Sequence, residues 1–265
     1  MEEENKQTMS FWEHLDVLRV YLIRMAVALV VASVAAFCMK EPLFDLILGP
    51  QRTDFITYRW LEAVGGWFSS GASLFQVSDI QLINTGLASQ FLIHMQASVY
   101  MGILIVSPYL LYQLFHFIAP ALYANERRCV VRSVVSGFVL FFLGVLLSYY
   151  LIFPLTFRFL GSYQVSEAVV NMISLQSYMD TLLLMSLFMG CVFELPVLCW
   201  LLSRMGILTA SQMRHYRRHA IVVLLALAAI ITPTSDIFTL LLVSLPMCLL
   251  YEAGIWVAAR AGREA

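Results

Sequence analysis

Charge is scarce in this chain. Asp, Glu, Lys and Arg make up only 12% of its 265 residues and hydrophobic residues 61%, where globular domains carry about 25% and roughly 45–50%. A soluble fold of this length could not cover so much apolar surface, so an ordinary water-soluble domain is excluded and lipid must be the solvent. In lipid every backbone N–H and C=O is paired within the protein, which leaves helices or a closed barrel. The apolar runs are long and continuous, without the period-two alternation of barrel strands. The expected class is an all-α integral membrane protein.

Other absences narrow the function. The five cysteines (Cys38, Cys129, Cys191, Cys199, Cys248) show no C-x-x-C spacing and fall in or beside apolar stretches, as reduced packing residues do. The N-terminus is acidic, the reverse of a secretory signal's basic start, so a cleaved leader is not expected. No G-x-S-x-G, phosphate loop or H-E-x-x-H is present. An intramembrane serine protease needs a Ser–His pair at depth, and the histidines lie mostly near span ends. His215 and His219 stand four apart, but Arg214, Arg217 and Arg218 around them would repel a cation. Enzyme activity, cofactors, metals and nucleic-acid partners are therefore not expected.

What is present is a series of apolar runs. A crossing needs about 20 residues, and Val20–Cys38, Gln90–Phe117, Val130–Pro154, Leu175–Ser203 and Ile237–Ala258 supply them. A shorter run, Ala220–Ile231, precedes the turn Thr232-Pro233-Thr234-Ser235-Asp236. It is either one arm of a re-entrant pair or a crossing of a locally thinned bilayer, and the second reading gives six spans. Twelve basic residues would then share one side (Lys6, Arg19, Arg24, Arg127, Arg128, Arg132, Arg204, Arg214, Arg217, Arg218, Arg260, Arg263), and Lys40, Arg52, Arg59 and Arg158 the other. By the positive-inside rule both termini are cytoplasmic. Residues 1–265 read as a single polytopic membrane domain in which 41–89 form an enlarged external (periplasmic) loop holding Trp60, Trp67 and a Gly/Ser-rich stretch. Interior prolines at 108, 196 and 246 predict bent spans.

A few polar residues stand out. Glu194, in Phe193-Glu194-Leu195-Pro196, lies about nine residues into the fourth span, roughly 13 Å deep at 1.5 Å per residue. A carboxylate there is costly and marks function by default; it is expected to face the concave interior and meet a partner helix or cargo. Asp236 suits the first turn of the last helix. Gln113, Asp236, Glu252 and Pro50 complete the positions expected to contact partners or polar groups. The segment Phe117-Ile118-Ala119-Pro120-Ala121-Leu122-Tyr123-Ala124-Asn125-Glu126-Arg127-Arg128 is an apolar and aromatic cytoplasmic loop beside charged groups. It is either a recognition surface or a connector in the headgroup region.

These motifs in order resemble one family. Phe11-Trp12-Glu13-His14-Leu15-Asp16-Val17-Leu18-Arg19 is similar to the H-L-x-E-L-R opening of TatC, the core subunit of the twin-arginine translocase. The run from Ser107-Pro108-Tyr109 through Tyr112-Gln113 and Phe117 to Glu126-Arg127-Arg128 resembles its most distinctive stretch. Phe193-Glu194-Leu195-Pro196, Thr232-Pro233 with Asp236, and Pro246-Met247 with Tyr251-Glu252 match its later motifs. The resemblance covers nearly the whole chain except 51–86 and the last residues.

It implies six transmembrane helices in a concave, glove-like bundle with short fifth and sixth helices. It further implies a receptor for twin-arginine signal peptides of folded cargo, driven by the proton-motive force. Its partners would be TatA- and TatB-type single-span proteins, membrane lipid and further copies within the complex. The implied signal-peptide residues are Glu126, Arg19, Phe117, Pro120 and Tyr123. The family's other binding glutamate is Val17 here, and valine cannot accept an arginine. Glu13, one helical turn earlier, or the adjacent Asp16 would then supply the charge. A proton-coupled secondary transporter using Glu194 and Asp236 is the alternative, but its matched broken helices in two repeats are not evident.

Overall fold

Apolar length alone selects five helical stretches able to cross a membrane: Asp16–Cys38, Ser89–His116, Val134–Ser162, Leu175–Arg204 and Ile237–Ala261. The structure, a computed structural model, describes residues 11–61, 81–118, 127–164, 166, 171–232 and 236–264. The first crossing is the outer part of α1 (Phe11–Cys38), whose helix begins well before its apolar run. A short helix α2 (Lys40–Ile47) and a 3₁₀ turn at Gly49–Gln51 follow. The second crossing is α3 (Ser89–Ile118).

The third crossing runs longer than Val130–Pro154. Helix α4 (Arg127–Leu147) passes through a wide π turn at Ser148–Ile152 into α5 (Phe153–Ser162). Pro154 therefore starts a further helix instead of ending the span. Proline cannot donate to the carbonyl four residues back, here that of Tyr150, and this carbonyl accepts a hydrogen bond from Thr57 Oγ1. Pro108 shows the same logic inside α3, where Ser107 Oγ donates to the Leu104 carbonyl at 2.8 Å. Membrane helices tolerate proline when a hydroxyl satisfies the freed backbone group.

The fourth crossing is broken into α6 (Leu175–Phe193) and α7 (Leu195–Arg204). Gly206, at φ 70, then turns the chain out of α7 as a left-handed C-terminal glycine does. Helix α8 (Ala210–His215) is closed by a reciprocal cap between Thr209 and Gln212. Next come α9 (Arg217–Ile231) and α10 (Ile237–Glu264). The fifth apolar helix, α9, has 15 residues, roughly 22 Å, against about 30 Å of hydrocarbon. The sixth, expected to be short, has 28 residues. Its second half does not fray because it packs on α7 and α8: Ala258 and Ala261 are each 1% exposed, and the Ala258 carbonyl accepts from Ser203 Oγ at 3.1 Å.

Small residues set the closest helix contacts, as is usual between membrane helices. A methyl group on Gly144 of α4 would lie 2.5 Å from the Met189 carbonyl oxygen of α6, and one on Gly190 would lie 2.8 Å from the Phe141 ring. The core gathers where α2, α3, α5, α6 and α10 meet. Tyr178, 2% exposed, is packed edge-on by Phe153 and Phe157 at 5.0 and 5.1 Å, and its hydroxyl donates to the Ile47 carbonyl at 2.9 Å.

One exception to the all-α expectation stands among the described residues. Two-residue strands β1 (Leu82–Ile83) and β2 (Ile173–Ser174) pair in parallel, Leu82 with Ile173 and Ile83 with Ser174. Each leads into a crossing, α3 or α6, so the pair fixes the starts of these two spans at one level.

Candidate functional site

Helices α1 and α3 run antiparallel and meet at both ends. On the side where α1 begins, called here the N-side, Tyr21 Oη and His116 Nδ1 are 2.8 Å apart. At the other end Phe37 stacks on His94 with ring centroids 4.0 Å apart. The N-side rim carries the residues expected to bind a peptide. Asp16 and Arg19 are exposed on α1 and Val17 is half-buried between them. Glu13 lies on α1 and Phe117 near the end of α3, but both side chains fall outside the described ones, as do residues Pro120, Tyr123 and Glu126 entirely. Gln113 is 6% exposed and donates to Tyr109 Oη within α3, so its amide serves its own helix.

Glu194 sits at the break in the fourth crossing. Pro196 cannot bond the Val192 carbonyl, and Glu194 N–H reaches only three residues back, to Cys191 O at 3.1 Å. Regular bonding resumes with Leu198 N–H to Glu194 O at 2.9 Å. The kink presses the Glu194 side chain against α4. It is 8% exposed, and a methyl group on Gly137 would stand 2.9 Å from Oε2 and 3.2 Å from Oε1. Among the described residues neither carboxylate oxygen has a hydrogen-bond partner. Within the chain its carboxylate lies against the bare backbone of the neighbouring helix at Gly137.

The remaining expected positions have contacts within the chain. Asp236 Oδ1 accepts from the Thr239 N–H at 2.7 Å, the geometry of an N-cap on α10. Glu252 pairs with Arg217, joining α10 to the start of α9. Buried Pro50 offers its carbonyl to Tyr58 Oη at 2.7 Å.

Two polar features escaped the sequence reading. Arg158, counted among the four basic residues of the far side, is 4% exposed, with its guanidinium 4.0 Å from the Tyr58 ring centroid. Burial raises the Tyr58 phenol above its usual pKa, while the neighbouring Arg158 guanidinium pulls it back. Arginine survives there because its flat, weakly hydrated cation stacks on an aromatic face. Asp180 is the second: its Oδ1 accepts 2.9 Å hydrogen bonds from Gln96 of α3 and Gln176 of α6. The available signal was the four-residue spacing of Gln176 and Asp180, which puts both on one helix face.

The described residues therefore hold exposed and half-buried polar and aromatic groups on the N-side rim, one buried carboxylate at the α6–α7 break and one half-buried carboxylate that links α3 to α6. The family model of Sec-independent protein translocase protein (TatC) matches residues 13–246. The TatC of Blattabacterium sp. subsp. Periplaneta americana is 32% identical over 259 residues, 97% of each chain. That of Haemophilus influenzae is 33% identical over 245 residues, 92% of this chain and 87% of the other. Two crystal structures of the twin-arginine translocase receptor TatC superpose with TM-scores of 0.75 and 0.76 at 28% identity, covering 94% and 93% of this chain and 99% of theirs. With the family model spanning most of its length and its apolar helices arranged as in those structures, this multi-pass membrane protein belongs to the TatC family of Sec-independent protein translocation.

Proposed function

We propose that this chain is the receptor and scaffold subunit of a twin-arginine translocase in the bacterial cytoplasmic membrane. It takes the signal peptides of folded cargo at its N-side rim and works with TatA- and TatB-type single-span partners, powered by the proton-motive force. The rim faces the cytoplasm, both termini lie there, and α9 makes the sixth crossing. The observation that carries this reading is the convergence of the α1 start and the α3 end in a chain that matches the family along nearly its whole length. Carboxylates suit the task, since each can accept two parallel hydrogen bonds from a guanidinium fork. With Val17 in place of a glutamate, Asp16 or Glu13 joins Glu126 in that role.

Site-specific photo-crosslinking of a twin-arginine signal peptide tests it. Glu126→Ala, and at least one of Glu13→Ala and Asp16→Ala, should lower the yield about tenfold, the effect of losing a charge-assisted hydrogen bond. Normal crosslinking in all three variants overturns the reading.

A further inference from the structure

We propose that Tyr21, Tyr112 and His116 form an arginine-binding cradle on the N-side rim, supplying the acceptor that Val17 cannot. The inference rests on the signal-peptide reading above and names a further part of the same site.

Position is the first support. Val17 and Tyr21 are four residues apart on α1, hence on one face in successive turns. Tyr21 points at α3, where it meets His116 with 2.8 Å between Oη and Nδ1. Tyr112 and His116 are likewise four apart and share a face of α3. The three rings form a continuous set, with centroids 6.0 Å apart for Tyr21–His116 and 5.7 Å for Tyr112–His116. The set is open: Tyr112 is 45% exposed, His116 is exposed and Tyr21 is half-buried.

Chemistry is the second. With Nδ1 occupied by Tyr21, the tautomer in which Nδ1–H donates to the phenol oxygen leaves an in-plane lone pair on Nε2. That lone pair accepts a guanidinium N–H, and the phenol faces attract the cation through their ring quadrupoles. A flat guanidinium stacks on rings of this kind. A lysine ammonium, compact and strongly hydrated, fits them less well. The cradle therefore predicts preference for arginine over lysine, which a simple helix-pinning bond between α1 and α3 does not.

The test uses the full chain in lipid nanodiscs and two fluorescent synthetic signal peptides, one with consecutive arginines and one with lysines in their place. His116→Leu and Tyr112→Leu should each weaken the arginine peptide, by about tenfold for His116. The lysine peptide should change less than about twofold, so that the preference collapses. His116→Gln, which keeps an acceptor, should restore most of the binding, and Tyr21→Phe should give an intermediate loss with the fold intact. An unchanged arginine preference in both leucine variants, or equal losses for both peptides, overturns the cradle. Failure of the unmutated chain to bind either peptide overturns the signal-peptide reading and the cradle together; normal binding with unmoved selectivity overturns the cradle alone.

Discussion

Glu194 and Gly137 show what a single residue decides here. A buried carboxylate with neither oxygen hydrogen-bonded among the described residues is costly, and a glycine opposite it lets the carboxylate lie against the α4 backbone. Gly137→Ala should destabilise the protein by less than about 1 kcal/mol, since the added methyl group meets only the movable tip of the Glu194 side chain, read as a slightly lower thermal midpoint in detergent. In a Glu194→Ala background the same change should cost far less, because the obstructing carboxylate is gone. Equal costs in both backgrounds would show that the two do not interact. If the orphaned carboxylate is kept for a partner, Glu194→Leu should be at least as stable as the wild type yet export-defective; full export would remove that role. His116, Tyr112 and Tyr21 act at the same scale, through ring faces and one nitrogen lone pair.

At the scale of elements, breaks and caps matter more than the apolar runs between them. The α6–α7 break follows from Pro196, and the α4–α5 wide turn precedes Pro154; each gives a crossing a local bend. Asp236 caps α10 through the Thr239 N–H, so Asp236→Ala should cost about 1 kcal/mol and Asp236→Asn little, again by thermal unfolding. An alanine variant as stable as the asparagine one would mean that the cap contributes nothing. Helix α9 is the short element, and its 15 residues can cross only a thinned bilayer. Inserting four leucines between residues 220 and 231 should relieve the thinning and lower export of twin-arginine cargo. Unimpaired export would separate α9 from any thinning function.

For the whole molecule the decisive quantity is the parity of crossings. Among the described residues five helices are long enough to span, and five crossings would set the termini on opposite sides. The proposed topology, in which α9 crosses too and both termini are cytoplasmic, rests on twelve basic residues against four. A fluorescent protein that matures only in the cytoplasm, fused after residue 265, should glow, and a periplasm-dependent phosphatase there should be inactive. The reverse pattern would fix five crossings. Deleting the gene should leave folded twin-arginine proteins in the cytoplasm; their normal export would contradict a receptor role.

Sequence alone determined the solvent, the helical class, the approximate spans and the family. Those follow from local properties, namely apolar run length, the sparseness of charge and the order of short motifs. It also located the Asp236 cap, because an acid at a helix start interacts with its own backbone. Tertiary structure decided what depends on a neighbouring helix. Arg158 and Asp180 look like charges at span ends until Tyr58 is stacked on one, and Gln96 and Gln176 are hydrogen-bonded to the other. That Glu194 lies against α4 depends on Gly137 standing opposite it. The length of α10 depends on α7 and α8 beside it. Burial and hydrogen bonding across helices are pairwise properties of residues far apart in sequence, so the same string that dictates a span leaves open what each polar group on it will meet.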